Sequence, residues 1–113
     1  MKIHHYESSS GRNVISEYIE SLAIDEQIDG VEVLRHMEHD EFDQIKWKRW
    51  KDKIFEVYFY KHNRLFYVIV DGQDLYVLHA CKKQKNKTEK RDSNIVLTRA
   101  KELGRSLGQT FTK

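Results

Sequence analysis

The chain has 113 residues, of which 34% are charged, and its 20 Lys+Arg and 18 Asp+Glu leave a net charge of +2. That length allows one domain, a single Cys excludes an intramolecular disulfide, and no apolar run approaches the ~20 residues of a membrane span. The small net charge conceals an asymmetry, since residues 1–45 carry −8 and residues 46–113 carry +10. A basic part of this strength suggests a polyanionic partner, with nucleic acid first.

The N-terminal part predicts a strand followed by two helices. Residues 3–6 fit a short strand, and Gly11 belongs to the turn after it. From residue 14 the apolar side chains follow a helical period. A second stripe, at steps of four and three, comprises Ile24, Ile28, Val31, Leu34 and Met37. Asp25 is placed to cap the second helix, while Gly30 costs it about 1 kcal/mol relative to Ala. The two helices are expected to form an antiparallel hairpin.

The rest of the chain predicts a meander of strands and a last helix. Residues 54–60 alternate between an apolar face and a face that carries Glu56, Tyr58 and Tyr60. Strands at 64–70 and 75–81 follow short turns, and an edge strand could lie near 45–50. The last helix carries an apolar stripe and stops at Gly108. We therefore expect an α+β fold, with an antiparallel sheet of about four strands packed on the helical hairpin and a C-terminal helix. Residues 1–113 would form a single domain with a flexible tail from about 109.

Three features could carry chemistry, and each also has a purely structural interpretation. The segment 82–91 is basic and has no apolar side chain, so it is either a solvated loop or a phosphate-binding stretch beside aromatic strands. Arg64 opens an otherwise apolar strand, where it either faces water or holds its guanidinium toward a phosphate. His79 is either a half-buried, hydrogen-bonded residue or a proton donor or acceptor near neutral pH.

The polar face of the strand at 54–60 is a weaker candidate. If the apolar face meets the helices, Glu56, Tyr58 and Tyr60 lie on the exposed side of the sheet, where a nucleotide could lie. Trp47 and Trp50, set among basic residues, are either an RNA-stacking patch or one core and one rim residue of an edge strand.

Metal-binding patterns are weak. The spacing of His36 and His39 and the pair His4-His5 match no metal motif, and Cys81 fits a small strand residue. We expect neither a metal nor a cofactor.

Five stretches, taken in order, resemble the RelE/HigB superfamily of bacterial toxins, especially its phage-derived HigB-like branch. Residues 11–19, GRNVISEYI, resemble G-x-x-P-V-x-E-F-L. In the strands, 54–57, IFEV, resemble L-[WY]-E-L, and 64–67, RLFY, resemble R-V-F-Y. Residues 77–83, VLHACKK, resemble L-L-H-G-F-x-K, and the loop 85–89, KNKTE, resembles T-Q-K-T-P. The resemblance extends from about residue 6 to residue 105.

The resemblance implies the toxin of a type II toxin–antitoxin pair. Such toxins are generally metal-independent endoribonucleases that inhibit translation by cutting mRNA, many of them only on the ribosome. The nucleophile is the 2′-hydroxyl of the RNA, so the protein positions the RNA, stabilises phosphate charge and moves protons. The implied partners are mRNA, the 70S ribosome and a cognate antitoxin, which is expected to be a small helix-turn-helix protein. The implied location is the bacterial cytoplasm, with the toxin encoded by the bacterium or by a prophage.

The resemblance also assigns roles to residues. Arg64 would clamp the scissile phosphate, Lys83 would contact phosphate, and His79 would shuttle a proton or hold a neighbour in place. The resemblance does not identify the base, for which the sequence leaves Glu56 and Tyr58 as candidates. Further RNA contacts are expected from Tyr60, Lys82, Lys85, Lys87, Lys90 and Arg91. The chain departs from the family at Tyr58, where Arg is common, and at Asn13 and Glu89, where Pro is usual.

Two other functions fit the same resemblance. ParE-like relatives inhibit DNA gyrase by binding it, and would produce DNA damage without RNA cuts. A relative that has lost catalysis would bind RNA with a steep salt dependence and show no toxicity. The absence of Arg at Tyr58 gives the second alternative its weight.

Overall fold

Five strands form one sheet and three helices pack against it. The structure, a computed structural model, describes residues 1–83 and 88–112. In chain order the elements are β1 (Lys2–His5), α1 (Val14–Glu20), α2 (Ile24–Glu38), a 3₁₀ turn (Phe42–Gln44), β2 (Lys46–Lys51), β3 (Ile54–Phe59), β4 (Asn63–Val70), β5 (Asp74–Lys82) and α3 (Lys90–Leu107). The fold is α+β. No helix in the described ranges combines the length and the apolar character needed to cross a membrane.

The sheet is mixed, with the strand order β1-β5-β4-β3-β2. Strands β2 to β5 form the antiparallel meander, and β2 is the edge strand considered near residues 45–50. The prediction of about four antiparallel strands is wrong at β1, which adds a fifth strand and pairs with β5 in parallel, from Lys2 opposite Asp74 to His5 opposite Val77. A four-residue pattern shows that a strand exists but does not encode the direction of its partner.

Helices cover both faces of the sheet. α1 and α2 pack on the face that carries Val57 and Phe59, whereas α3 packs on the opposite face against Phe66 and Leu78. The expectation that the polar face of β3 is solvent-exposed is therefore wrong for Glu56, which is 1% exposed. The second core under α3 makes this face a partly buried surface with an open end at Tyr58.

Helix α2 is turned relative to the stripe that its sequence suggested. Its buried residues are Gly30, Val33 and Met37, while Ile24 and Ile28 are exposed. The reason lies at Gly30, where an added Cβ would lie 2.9 Å from Cε2 of Phe59. Because the glycine has no side chain, the aromatic ring packs directly on the helix backbone, and this contact fixes which face of α2 meets the sheet.

The helix ends also differ in part from expectation. Asp25 does not cap α2, which begins at Ile24 after Ala23 without a side-chain cap, so Asp25 lies in the first turn. The predicted stop at Gly108 is confirmed, with a left-handed φ of 68°. Residues 109–112, expected to form a flexible tail, return to the sheet: Phe111 is buried and its carbonyl accepts a hydrogen bond from the backbone N–H of Lys53 at 3.2 Å.

Candidate nucleic-acid interface

Strand register brings the candidate site residues together at one end of the sheet. Tyr58 on β3 lies opposite Arg64 on β4, and Arg64 lies opposite Cys81 on β5. On the outer side, Lys48 of β2 lies opposite Glu56 of β3. Because directly opposite residues share a face of the sheet, these polar side chains project on the side that α3 only partly covers.

A buried ion pair lies at the base of this site. Arg64 is 3% exposed and Glu56 is 1% exposed, and Arg64 Nη1 lies 3.4 Å from Glu56 Oε2. The same nitrogen donates to Thr88 Oγ1 at 2.7 Å, while Arg64 Nε is buried without a partner in the described part of the chain. Lys48 Nζ lies 3.4 Å from the other Glu56 oxygen, with its side chain 59% exposed. Glu56 thus links one buried cation to one exposed cation.

Three positively charged groups lie near the ring of Tyr58. Lys83 Nζ lies 4.9 Å from the ring centroid, Lys48 Nζ lies 5.6 Å from it, and the Arg64 guanidinium carbon lies 5.7 Å from it. These distances are in the range of cation–π attraction. We refer to Lys48, Arg64 and Lys83 as the cation cluster. With Glu56 as its carboxylate, the cluster has two positive charges in excess.

Protonation states at this site favour binding of an anion. Burial raises the pKa of the Tyr58 phenol, and the hydrogen bond that the phenol donates to Glu56 Oε1 acts in the same direction. Hydrogen bonding and attraction to Tyr58, followed by attraction to Glu56, raise the pKa of Lys48. At neutral pH the phenol therefore keeps its proton and Lys48 keeps its charge.

A groove of about 470 Å³ opens beside the cation cluster. We call it the basic groove, and its lining consists of Asp29, Val33, Gln44, Ile45, Lys46, Lys48, Tyr58, Phe59, Tyr60, Lys61 and Lys83. Tyr60 and Lys61 form the β3–β4 turn with φ values of 43° and 63°, a left-handed backbone that is unfavourable for L-residues. The Tyr60 N–H donates to Asp29 Oδ2 at 2.6 Å, which ties the turn to α2.

The predicted site residues are only partly brought together. Glu56, Tyr58, Arg64 and Lys83 meet in the cluster, and Tyr60 lines the groove. Arg64, expected to clamp phosphate directly, is instead buried beneath its neighbours.

The predicted RNA-binding residues are scattered. Lys82 is committed to Glu26 at 3.2 Å, and Lys90 and Arg91 belong to the first turn of α3. Lys85 and Lys87 lie outside the described residues.

His79 lies apart from the cluster, beneath α3. Its Nε2 is 2.8 Å from Asp92 Oδ1, its Nδ1 is 3.4 Å from Arg99 Nη1, and its ring stacks on Phe66 at 6.4 Å. Burial lowers the pKa of His79, and the hydrogen bond to Asp92 opposes that effect. A neutral imidazole held on both sides fits the second of the two expected roles, holding a neighbour in place.

Sequence reasoning missed Lys48 and Thr88 as parts of the site. Lys48 was one of several basic residues around Trp47 and Trp50, and only the β2–β3 register singles it out. The two tryptophans fit the alternative of one core residue and one rim residue on an edge strand. Trp47 is an exposed rim residue, whereas Trp50 packs on the buried ring of Phe66 at 5.1 Å.

One group of side chains in the described ranges has the donor types of a metal site. The ligand atoms of His79, Cys81 and Asp92 lie within 4.8 Å of one another. However, the Arg99 guanidinium can only donate, so Nδ1 of His79 must accept its hydrogen bond. The ring proton of the neutral imidazole then lies on Nε2, which is the atom that would have to bind the metal. Burial also raises the pKa of the Cys81 thiol to about 12. The trio is better suited to fastening α3 to β5 than to holding an ion.

The fold and the basic groove define a small α+β protein with a strongly cationic site at one end of its sheet. Residues 17–101 match the model of a family described as Phage derived protein Gp49-like (DUF891). Since the match covers most of the chain, the protein belongs to this family, a toxin-like family of type II toxin–antitoxin systems. A search of curated proteins found no match.

Proposed function

We propose that the protein is the toxin of a type II toxin–antitoxin pair and acts as a metal-independent endoribonuclease that cuts mRNA on the ribosome. The observation that carries this proposal is the cation cluster, in which two reachable lysines and one buried arginine surround a single phenol. Phosphate is the anion that such a site suits best, because several fixed donors can share its charge. Family membership supports the toxin class, and the RNA substrate remains our inference.

The reaction we propose conserves atoms without a metal or water. The 2′-hydroxyl oxygen of the RNA attacks the adjacent phosphorus while the bond from phosphorus to the 5′-oxygen breaks. The products are a 2′,3′-cyclic phosphate and a 5′-hydroxyl end. One proton leaves the 2′-oxygen and one joins the 5′-oxygen, so the protein only has to relay protons and stabilise charge on the phosphate.

Within the cluster the exposed and buried charges would have different roles. Lys48 and Lys83 reach the groove and would contact the phosphate oxygens directly, where negative charge grows during the attack. Arg64 holds Glu56 from beneath, and Glu56 accepts the proton of Tyr58 in a hydrogen bond. Tyr58, protonated at neutral pH, would then donate its proton to the leaving 5′-oxygen. The proton released by the 2′-hydroxyl would pass to solvent, and solvent would return one proton to Tyr58, so that no proton is gained or lost overall.

The ribosome would supply the alignment that the protein lacks. A codon that the ribosome already holds in line would reduce the positioning left to the protein. Tyr60, 43% exposed beside the groove, is positioned to stack on a base.

The proposal is tested by inducing the protein in bacteria and mapping the 5′-hydroxyl ends of transcripts. We expect cuts within coding regions, in phase with codons, that Lys83→Ala strongly reduces. Lys101→Ala, which removes an exposed lysine from α3, is the matched control and should cut normally. Growth arrest with DNA damage and intact transcripts would instead identify a gyrase inhibitor and refute the proposal.

A second candidate function is RNA binding without cleavage. The observation in its favour is the burial of Arg64 beneath Tyr58 and Thr88, which leaves the cluster with lysines as its reachable cations. Salt-dependent RNA binding by the purified protein, together with uncut transcripts after induction, would establish this alternative.

A further inference from the structure

Helix α2 carries an exposed apolar face that the fold does not use. Ile24, Ile28 and Val31 are 67%, 58% and 56% exposed, and their spacing of four and three residues places them side by side along the helix. We call these three residues the α2 patch. Isolated exposed aliphatic residues are ordinary, but a contiguous row on an otherwise charged helix is typical of a contact surface.

The opposite face of the same helix is already buried against the sheet. Gly30, Val33 and Met37 pack into the sheet, with the Phe59 ring against Gly30. The helix therefore cannot bury the α2 patch by rolling, because doing so would expose this inner row. A helix that is apolar on two faces has one partner within the chain and needs a second from outside.

The charge around the patch limits what that partner can be. Between Glu20 and Asp43 there are nine carboxylates and one arginine, and that arginine is committed to Glu32 at 2.7 Å. Asp25 and Glu38 make no ion pair with any described residue. Nucleic acid would be repelled here, and a second copy docked about a two-fold axis would bring two acidic rims together.

We propose that the α2 patch docks an amphipathic helix of a partner protein, with apolar residues spaced i, i+4, i+7 and Lys or Arg on its flanks. The identity of this partner rests on the proposed function: the partner of a toxin of this class is its antitoxin. The patch lies on the hairpin side of the sheet, whereas the cation cluster lies on the side of α3. Asp29 and Val33 of α2 also line the basic groove, so a helix docked on the patch would lie beside the groove that Lys48 and Lys83 reach.

The test uses the full chain and two synthetic helical peptides of about 20 residues. Both carry Leu at i, i+4 and i+7, but one has Lys flanks and the other has Glu flanks. Fluorescence anisotropy should show that the Lys-flanked peptide binds at least about tenfold more tightly. Ile28→Ser should abolish that preference, whereas Leu107→Ser, which changes an exposed leucine on α3, should leave it unchanged.

The possible outcomes separate the docking surface from the proposed function. Equal binding of the two peptides, or unchanged binding to the Ile28→Ser variant, would overturn the docking proposal. Self-association in sedimentation that Ile28→Ser removes would also overturn it, by showing that a second copy occupies the patch. Mapping RNA ends tests the endonuclease proposal separately. Cuts that the Ile28→Ser variant still makes would support the endonuclease whatever the peptide result. An absence of cuts by the wild-type protein would refute the endonuclease without changing the peptide result.

Discussion

Replacing either member of the Arg64–Glu56 pair should destabilise the fold more than replacing both. Arg64→Met keeps the length of the side chain but removes the guanidinium, and Glu56→Gln keeps an acceptor for the Tyr58 hydroxyl but removes the charge. Each single substitution leaves a charged group almost fully buried beside a neutral neighbour, since the two residues are 3% and 1% exposed.

The magnitudes follow from that burial. Breaking a buried pair by removing one partner costs about 3–5 kcal/mol. Arg64→Met should fall near the lower end, at about 3 kcal/mol, because Lys48 still lies 3.4 Å from Glu56. Glu56→Gln should cost a similar amount, since it leaves the guanidinium without a carboxylate. The double variant contains neither charge and should lose only about 1–2 kcal/mol.

Urea unfolding followed by tryptophan fluorescence gives the free energy of unfolding of all four proteins, with Trp50 reporting on the core beside Phe66. The expected coupling energy is about 4–5 kcal/mol, because the double variant should lose that much less than the two single losses added together. Additive losses in the double variant would show that the two side chains do not depend on each other, and would contradict the buried pair as the base of the site.

Three further predictions concern packing, pH and charge. Gly30→Val should destabilise the protein by about 1–3 kcal/mol, because its side chain collides with Phe59; denaturation should show a smaller penalty in a Phe59→Leu background, and an equal one would remove Phe59 as the cause. The free energy of unfolding should fall as pH drops below about 6.5, because burial lowers the pKa of His79 and His5 and the unfolded chain then binds those protons more readily. His79→Gln should flatten that slope between pH 6.5 and about 5, above the range where carboxylates titrate, and an unchanged slope would contradict a neutral buried His79. Lys61→Gly should raise stability by about 1 kcal/mol by relieving a left-handed backbone. It should also reduce the salt slope of RNA binding by about 1, and a full salt slope would exclude Lys61 from the RNA contact.

The strands and their faces were predictable where the sequence alternates. The apolar and polar residues of β3 take opposite faces, and the meander from β3 to β5 follows from short turns between β-rich runs. Local pattern is sufficient there because each residue is placed by its immediate neighbours along the strand.

Placement that depends on distant partners was not predictable in the same way. The direction of β1 depends on β5, more than sixty residues later. The rotation of α2 about its axis depends on the Phe59 ring. The helical spacing of the apolar residues does not reveal that the buried side of α2 is the one that carries Gly30.

The same distinction holds for the candidate site. Arg64, Glu56 and Tyr58 were identifiable because they interrupt or border apolar strands. Their relation to Lys48 required the β2–β3 register, and the burial of Arg64 required the packing of Thr88 and Tyr58 over it. His79 was recognisable as unusual, but its bonds to α3 come from residues far along the chain.

The most direct test of the proposed chemistry changes the RNA rather than the protein. Ribosomes programmed with a short mRNA are incubated with the purified protein in the presence of a metal chelator that leaves the ribosome intact, and the cut site is mapped. A second mRNA, identical except for a 2′-deoxy sugar at the nucleotide before the cut, is then compared with it. We expect the first RNA to be cut to a 2′,3′-cyclic phosphate and the deoxy RNA to remain whole; cleavage of the deoxy RNA at the same position would contradict the 2′-hydroxyl as nucleophile.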